Sequence, residues 1–168
     1  MIGKRDVKFS FLVESAQQTP FYFVKQLTKR LKCRCENVNN EEGAVVKVTK
    51  FNNVGEDNRG LTADFFLPRK QAEFIFITRK ANTLSGNAYH EGKHPATNPK
   101  IFVLLSGIIR LSYRKVGSNE KFSIEIDFPA TIEISPFVTH KVEVLADCIL
   151  LECNSISDIQ NDRVKEDV

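Results

Sequence analysis

The chain has no tryptophan, a single methionine, only three histidines, and no apolar run long enough to span a bilayer. Met1-Ile2-Gly3-Lys4-Arg5-Asp6 is not followed by the apolar core of a signal peptide. A soluble, cytoplasmic protein with no membrane partner is therefore expected. Cysteine is scarce and unpaired in pattern: Cys33 and Cys35 flank one residue, Cys148 and Cys153 flank four, and neither spacing is the C-x-x-C of a zinc site. Free thiols packed as small hydrophobes are the expectation. An excess of one charge is also missing. Lys and Arg number 24 against 21 Asp and Glu, for a net charge of +3. They are interspersed except in the basic stretch from Lys25 to Arg34, so nothing calls for a nucleic-acid partner.

Among the 168 residues present are thirteen phenylalanines, which suit a β-rich interior. That length fits one domain able to bury a core without disulfides or a structural metal. Val7, Phe9, Phe11 and Val13 alternate with more polar neighbours and predict a strand. Thr19-Pro20 supplies a helix start, and Val24, Leu27 and Leu31 recur at helical spacing behind it. Residues 1–43 thus form an N-terminal strand and helix extension. Beyond a polar break the pattern becomes short strands, over 44–51, 61–67, 72–78, 101–105, 108–114, 122–128, 131–134, 141–145 and 148–153, with 52–60 as a loop and 116–120 as a hairpin turn. The cleanest is Phe122, Ile124, Ile126 and Phe128 against Ser123, Glu125 and Asp127. Residues 44–153 therefore predict an antiparallel sandwich or barrel. Residues 154–168 read as a charged tail in which Ile156 and Ile159 anchor one helical turn.

Two of the three histidines fall in Gly86-Asn87-Ala88-Tyr89-His90-Glu91-Gly92-Lys93-His94, and Lys100 stands seven residues before Gly107. The third histidine closes Ser135-Pro136-Phe137-Val138-Thr139-His140. This order resembles the two motifs of the cupin superfamily, with alanine at the first histidine (Ala88) and lysine at the acidic position (Lys100). Asp57-Asn58-Arg59-Gly60-Leu61 and the ending Leu150-Leu151-Glu152-Cys153-Asn154 extend the likeness to the RmlC-like, sugar-nucleotide branch. That branch includes dTDP-sugar 3,5-epimerases, ketoisomerases, and the C-terminal cupin domain of capsular-polysaccharide reductases.

The resemblance implies an all-β cupin barrel, a double-stranded β-helix or jelly roll, over residues 44–153. It implies an epimerase or isomerase-like protein for a nucleotide-linked keto sugar, in surface-polysaccharide synthesis, with a carbohydrate or nucleotide-sugar partner. By likeness to the ketoisomerases, His90 would be the base, Tyr89, Tyr113 or His140 a proton donor, and Lys100 the stabiliser of an enolate or the binder of a phosphate. Arg59 would bind the diphosphate, with His94, Tyr113 and Glu152 as further ligand-binding candidates. Two of four metal ligands are replaced, so no cofactor is expected; were a divalent metal bound, His90, His94 and His140 would hold it. A homodimer is expected, the N-terminal extension covering a sheet edge or exchanging with the partner. A metal-free binding module and, third, a metal-dependent oxygenase or isomerase are the alternatives.

Overall fold

The structure, a computed structural model, describes residues 44–168. The strand and helix expected over 7–31, and Cys33 and Cys35, lie outside the described residues. In chain order the elements are β1 (Val46–Lys50), β2 (Asn52–Asp57), β3 (Gly60–Asp64), β4 (Ile75–Arg79), β5 (Leu84–His90), a 3-10 turn (Pro95–Thr97), β6 (Lys100–Lys115), β7 (Phe122–Asp127), β8 (Ala130–Ile134), β9 (Val138–Glu152), α1 (Ile156–Asp162) and β10 (Arg163–Lys165).

Two long strands carry the architecture, because each serves two sheets. The first half of β6 pairs with β8, and β8 with β1. The second half of β6 pairs with β7. In β9 the halves are reversed, since its start pairs with β5 and its end with β4. As β6 and β9 also pair with each other along their length, one sheet runs β1-β8-β6-β9-β4 and the other β7-β6-β9-β5-β10. This is an antiparallel jelly roll, with a core drawn from both inner faces: Leu104, Ile132, Ile134 and Leu150 from the first sheet, and Ile109, Leu111, Ile126 and Val144 from the second.

The runs expected separately over 101–105 and 108–114 are one strand, as are those over 141–145 and 148–153. Gly107 is what lets β6 continue. The register shifts on either side of it, its φ is +90°, and a Cβ there would stand 2.4 Å from the Asp147 carbonyl oxygen and 2.6 Å from Cys148 Cβ. Glycine alone allows that close crossing, so the strand bends from one sheet into the other instead of ending.

Residues 52–60, expected as a loop, form β2 and the turn of a β2–β3 hairpin that, among the described residues, pairs only with itself. Its Asn, Gly, Glu and Asp content masks it, since these residues are rare in strands. The charged segment from Asn154 is also more than a tail. Ser155 and Asp158 form a reciprocal capping box at the start of α1, and β10 adds to the sheet beside β5, with Arg163 opposite His90 and Lys165 opposite Ala88. Cys148 and Cys153 are buried free thiols; burial raises both pKa values, that of Cys153 to about 11. None of the described helices is long and apolar enough to cross a membrane.

Candidate functional site

A cavity of about 200 Å³ opens at one end of the barrel. Its apolar wall includes Ile77, Phe102, Ile109, Leu111, Ile132 and Leu150, and its polar residues are Arg79, Ser85, His90, Lys100, His140, Glu152 and Arg163. The barrel's geometry gathers them. Lys100 begins β6, His90 ends β5 and Glu152 ends β9, so three strand ends meet at the mouth. A bulge between Gly86 and Ala88 sets the register that places Ala88 opposite His140. Gly86, at φ +101°, is needed there because a Cβ would lie 2.6 Å from the His140 carbonyl oxygen.

Lys100 is the centre of the site. Its ammonium forms a buried ion pair with Glu152 Oε1 and lies 2.9 Å from His90 Nε2, with the Phe102 ring centre 5.1 Å away. Asn154 Nδ2 also donates to Glu152, at 3.1 Å. Burial pulls the lysine's pKa down, and the Glu152 carboxylate opposes it.

His140 is fixed by a hydrogen bond from Nδ1 to the Val138 carbonyl oxygen, 3.0 Å long. The hydrogen therefore sits on Nδ1 and the lone pair on Nε2. In His90 the assignment follows from Lys100: Nε2 accepts from the ammonium, so Nδ1 carries the hydrogen, and it is buried with no partner among the described residues. The two imidazoles are stacked, centroids 5.9 Å apart. Burial above all, and next the Lys100 charge, lower the His90 pKa to about 3. Burial likewise brings His140 to about 4, against the raising effect of its Val138 bond. Both rings are neutral at pH 7.

Of the residues expected from the sequence, His90, Lys100, His140 and Glu152 converge on the cavity. Tyr89 does not line it. Side chains alternate along a strand, so with His90 inward Tyr89 faces away and packs on Phe137, centroids 6.0 Å apart. Tyr113, although opposite His140 in register, is a core residue stacked on Phe122. Arg59 sits in the β2–β3 turn, exposed and paired with Asp57. His94 caps the 3-10 turn by accepting from the Ala96 N–H at 3.2 Å, and stands 3.4 Å from Asp158.

The His90, His94 and His140 metal set is thus not assembled, and no cluster of three or more metal-ligating side chains occurs among the described residues. The residues present do not fit a divalent cation, because a positive ammonium already fills the point on which His90 Nε2 and Glu152 converge.

Three contributors went unrecognised in the sequence. Arg79 ends β4, and its Nε donates to Ser85 Oγ at 3.2 Å. Arg163 begins β10, and its Nη2 donates to the Gly86 carbonyl oxygen at 2.9 Å. Two guanidinium groups are therefore tethered to adjacent residues of β5 at the cavity's edge, and neither has a carboxylate partner among the described residues. Ile159, from α1, closes the same edge. In sequence these residues look like ordinary solvated charges and one helix anchor; only the pairing of β10 with β5 brings Arg163 beside His90.

The α1–β10 segment is held by Asp162. Its buried carboxylate accepts from the backbone N–H groups of Glu91, Gly92 and Lys93, at 3.1, 3.1 and 3.2 Å, and from Thr97 Oγ1. Asp162→Asn puts an amide donor among four donors. It is expected to cost about 2 kcal/mol of local stability, a roughly 30-fold rise in hydrogen exchange. Exchange measured at Glu91, Gly92, Lys93 and β10 checks this; unchanged protection there would show that the segment is held by other means.

Several solved structures share this fold. The QdtA sugar 3,4-ketoisomerase of Thermoanaerobacterium thermosaccharolyticum, in complex with TDP, matches with a TM-score of 0.58 at 17% identity, over 73% of this chain and 88% of that one. A 3,4-ketoisomerase of Helicobacter canadensis matches at 0.57 and 14%, over 72% and 90%. The 3,5-epimerase RmlC of Legionella pneumophila, in complex with dTDP-4-keto-L-rhamnose, matches at 0.55 and 14%, over 71% of each. The fold is that of the RmlC-like cupins. Neither a protein-family model nor a curated protein matches the sequence. Within that fold this chain puts a Lys100–Glu152 pair in the cavity.

Proposed function

We propose that this RmlC-like cupin binds a nucleotide-linked keto sugar and moves a proton at the carbon next to its carbonyl. The observation that carries the reading is the cavity's charge pattern. A buried Lys100 ammonium and a neutral His140 share a mostly apolar chamber, with Arg79 and Arg163 at its edge. At about 200 Å³ the chamber is smaller than the roughly 300–1,000 Å³ usual for a whole drug-sized ligand. It suits one sugar ring, and the phosphates would lie outside, at the two arginines. The neighbours crystallised with TDP or a dTDP-keto sugar support the same class.

In this reading His140 Nε2 is the base, because its lone pair is presented and its other nitrogen is anchored. His90 passes from base to relay, since Lys100 engages its Nε2. Lys100 stabilises the developing enolate. Negative charge arriving at the arginines and on the enolate raises the His140 pKa towards the working pH, where a general base is most effective.

The test is TDP-4-keto-6-deoxyglucose in deuterated buffer, followed by NMR. Deuterium is expected to enter beside the carbonyl, and His140→Ala to abolish the exchange. Arg79→Ala and Arg163→Ala are each expected to raise the half-saturating concentration about 10- to 100-fold, the value of a hydrogen bond to a charged group. No exchange with this or any other keto-sugar nucleotide would reject the reading; thermal stabilisation by the ligand without exchange would establish the binding-module alternative.

A further inference from the structure

The reading above uses Lys100 only as a charge, but its surroundings suit a second chemistry. Lys100 Nζ lies inside a cavity lined largely by Ile, Leu and Phe side chains, and its two polar neighbours, His90 Nε2 and Glu152 Oε1, are both proton acceptors. A structural role explains this poorly. A buried ion pair contributes little to stability compared with apolar residues of similar volume, and this one faces a cavity instead of filling the core. It also stands at the motif position where the sequence departs from a metal-ligating cupin. A metal there would polarise a carbonyl; an amine can draw electrons from the same group covalently.

We infer that Lys100 is a Schiff-base lysine, which condenses with the carbonyl of a small anionic aldehyde or ketone whose charged group rests at Arg79 and Arg163. The inference deepens the keto-sugar reading and shares its cavity, though it does not require a nucleotide.

The step balances as follows. The ammonium first gives one proton to Glu152 or His90. The freed lone pair on Nζ attacks the carbonyl carbon, forming the C–N bond, while the π pair moves to oxygen, which takes up a proton. The nitrogen then loses a second proton, the hydroxyl is protonated and leaves as water, and the nitrogen lone pair forms the C=N bond. The product is the iminium, its nitrogen keeping one hydrogen. Nothing is oxidised or reduced, and the sum is ammonium plus carbonyl giving iminium plus water. Desolvation, which lowers the lysine's pKa, favours the first transfer. The apolar wall keeps bulk water from the iminium, and the α-proton it acidifies is within the remit of His140.

The experiment is reductive trapping. The full chain is incubated with dihydroxyacetone phosphate and sodium cyanoborohydride, digested, and mapped by mass spectrometry. One reduced adduct is expected on Lys100, reaching near-stoichiometric occupancy before exposed lysines such as Lys47, Lys80 and Lys93 are modified. Lys100→Arg, which keeps the cation, should lose it, and Glu152→Gln should slow its formation at least tenfold. Modification confined to exposed lysines in the wild-type chain, or none, overturns the inference, and this result does not depend on any variant folding. Deuterium exchange into the keto sugar without trapping would leave the proton-transfer reading standing and remove the covalent one. Trapping without exchange would do the reverse.

Discussion

Lys100→Met is expected to cost about 3–5 kcal/mol of folding stability, the usual penalty for leaving one member of a buried ion pair behind. Glu152 is the group stranded. Its Oε1 accepts from Lys100 and from Asn154 Nδ2, and after the change only the amide remains. Among the described residues no other cation is paired with it: Arg79 and Arg163, which line the same cavity, are bonded to Ser85 and to the Gly86 carbonyl oxygen. In urea the midpoint should fall by about 2 M, taking a slope of about 2 kcal/mol/M. The double variant Lys100→Met, Glu152→Leu should recover most of that loss, because it removes the stranded charge instead of its partner. Equal stability of Lys100→Met and wild type would mean that Glu152 takes up a proton or reaches water in the folded barrel, and the ion pair would lose its place at the centre of the site.

Stability is expected to fall as the pH drops from 6.5 towards 4, the loss beginning above the range in which ordinary carboxylates titrate. His90 and His140 have folded pKa values of about 3 and about 4, against 6.5 for a free imidazole. A proton therefore binds the unfolded chain more readily than the folded one. The stabilising difference is whole above pH 6.5 and is lost as the pH drops below it, each histidine contributing a slope of up to about 1.4 kcal/mol per pH unit. Two rings give a slope approaching twice that once the unfolded chain is fully protonated. His140→Asn should halve it, because the asparagine amide can keep the bond to the Val138 carbonyl oxygen while removing the titration. Unfolding midpoints across this range are the measurement. A flat profile in the wild-type chain would show that the rings are charged, or reached by water, inside the barrel.

Asp162 adds a separate acid limit lower down. Burial, the largest influence on its carboxyl, pushes the pKa up, but the bonds from Thr97, Lys93 and Gly92 together leave it below the ordinary aspartate value of 3.8. A depressed carboxylate stabilises the fold above its unfolded pKa and loses that contribution as the pH falls through the folded one. Release of α1–β10 therefore belongs to the region below pH 4, well under the pH at which the histidine effect begins.

The barrel was legible because its strands alternate. Phe122 to Asp127, with Ile126 buried and Glu125 exposed, needed only the period of two. The continuity of β6 and β9 was not legible, because glycine at 107 reads as a break unless the crossing with Asp147 and Cys148 is known. The site divides similarly. His90, Lys100, His140 and Glu152 were found by type and motif, while Tyr89 was carried along with them although the alternation that turns His90 inward turns Tyr89 outward. Arg163 was hidden for another reason: a charged residue near the end of a sequence has no signature until its strand finds a partner.

The sharing of β9 among β4, β5 and β6 also sets an order of events. Val46 pairs with Ile134 and Ile75 with Glu152, so neighbours in space are distant in sequence, and folding belongs with the slow, millisecond-to-second topologies. On the ribosome, β4 and β5 have, among the described residues, no strand to join until Val138 to Glu152 has emerged. Until then their apolar faces depend on the surrounding machinery to keep them from aggregating.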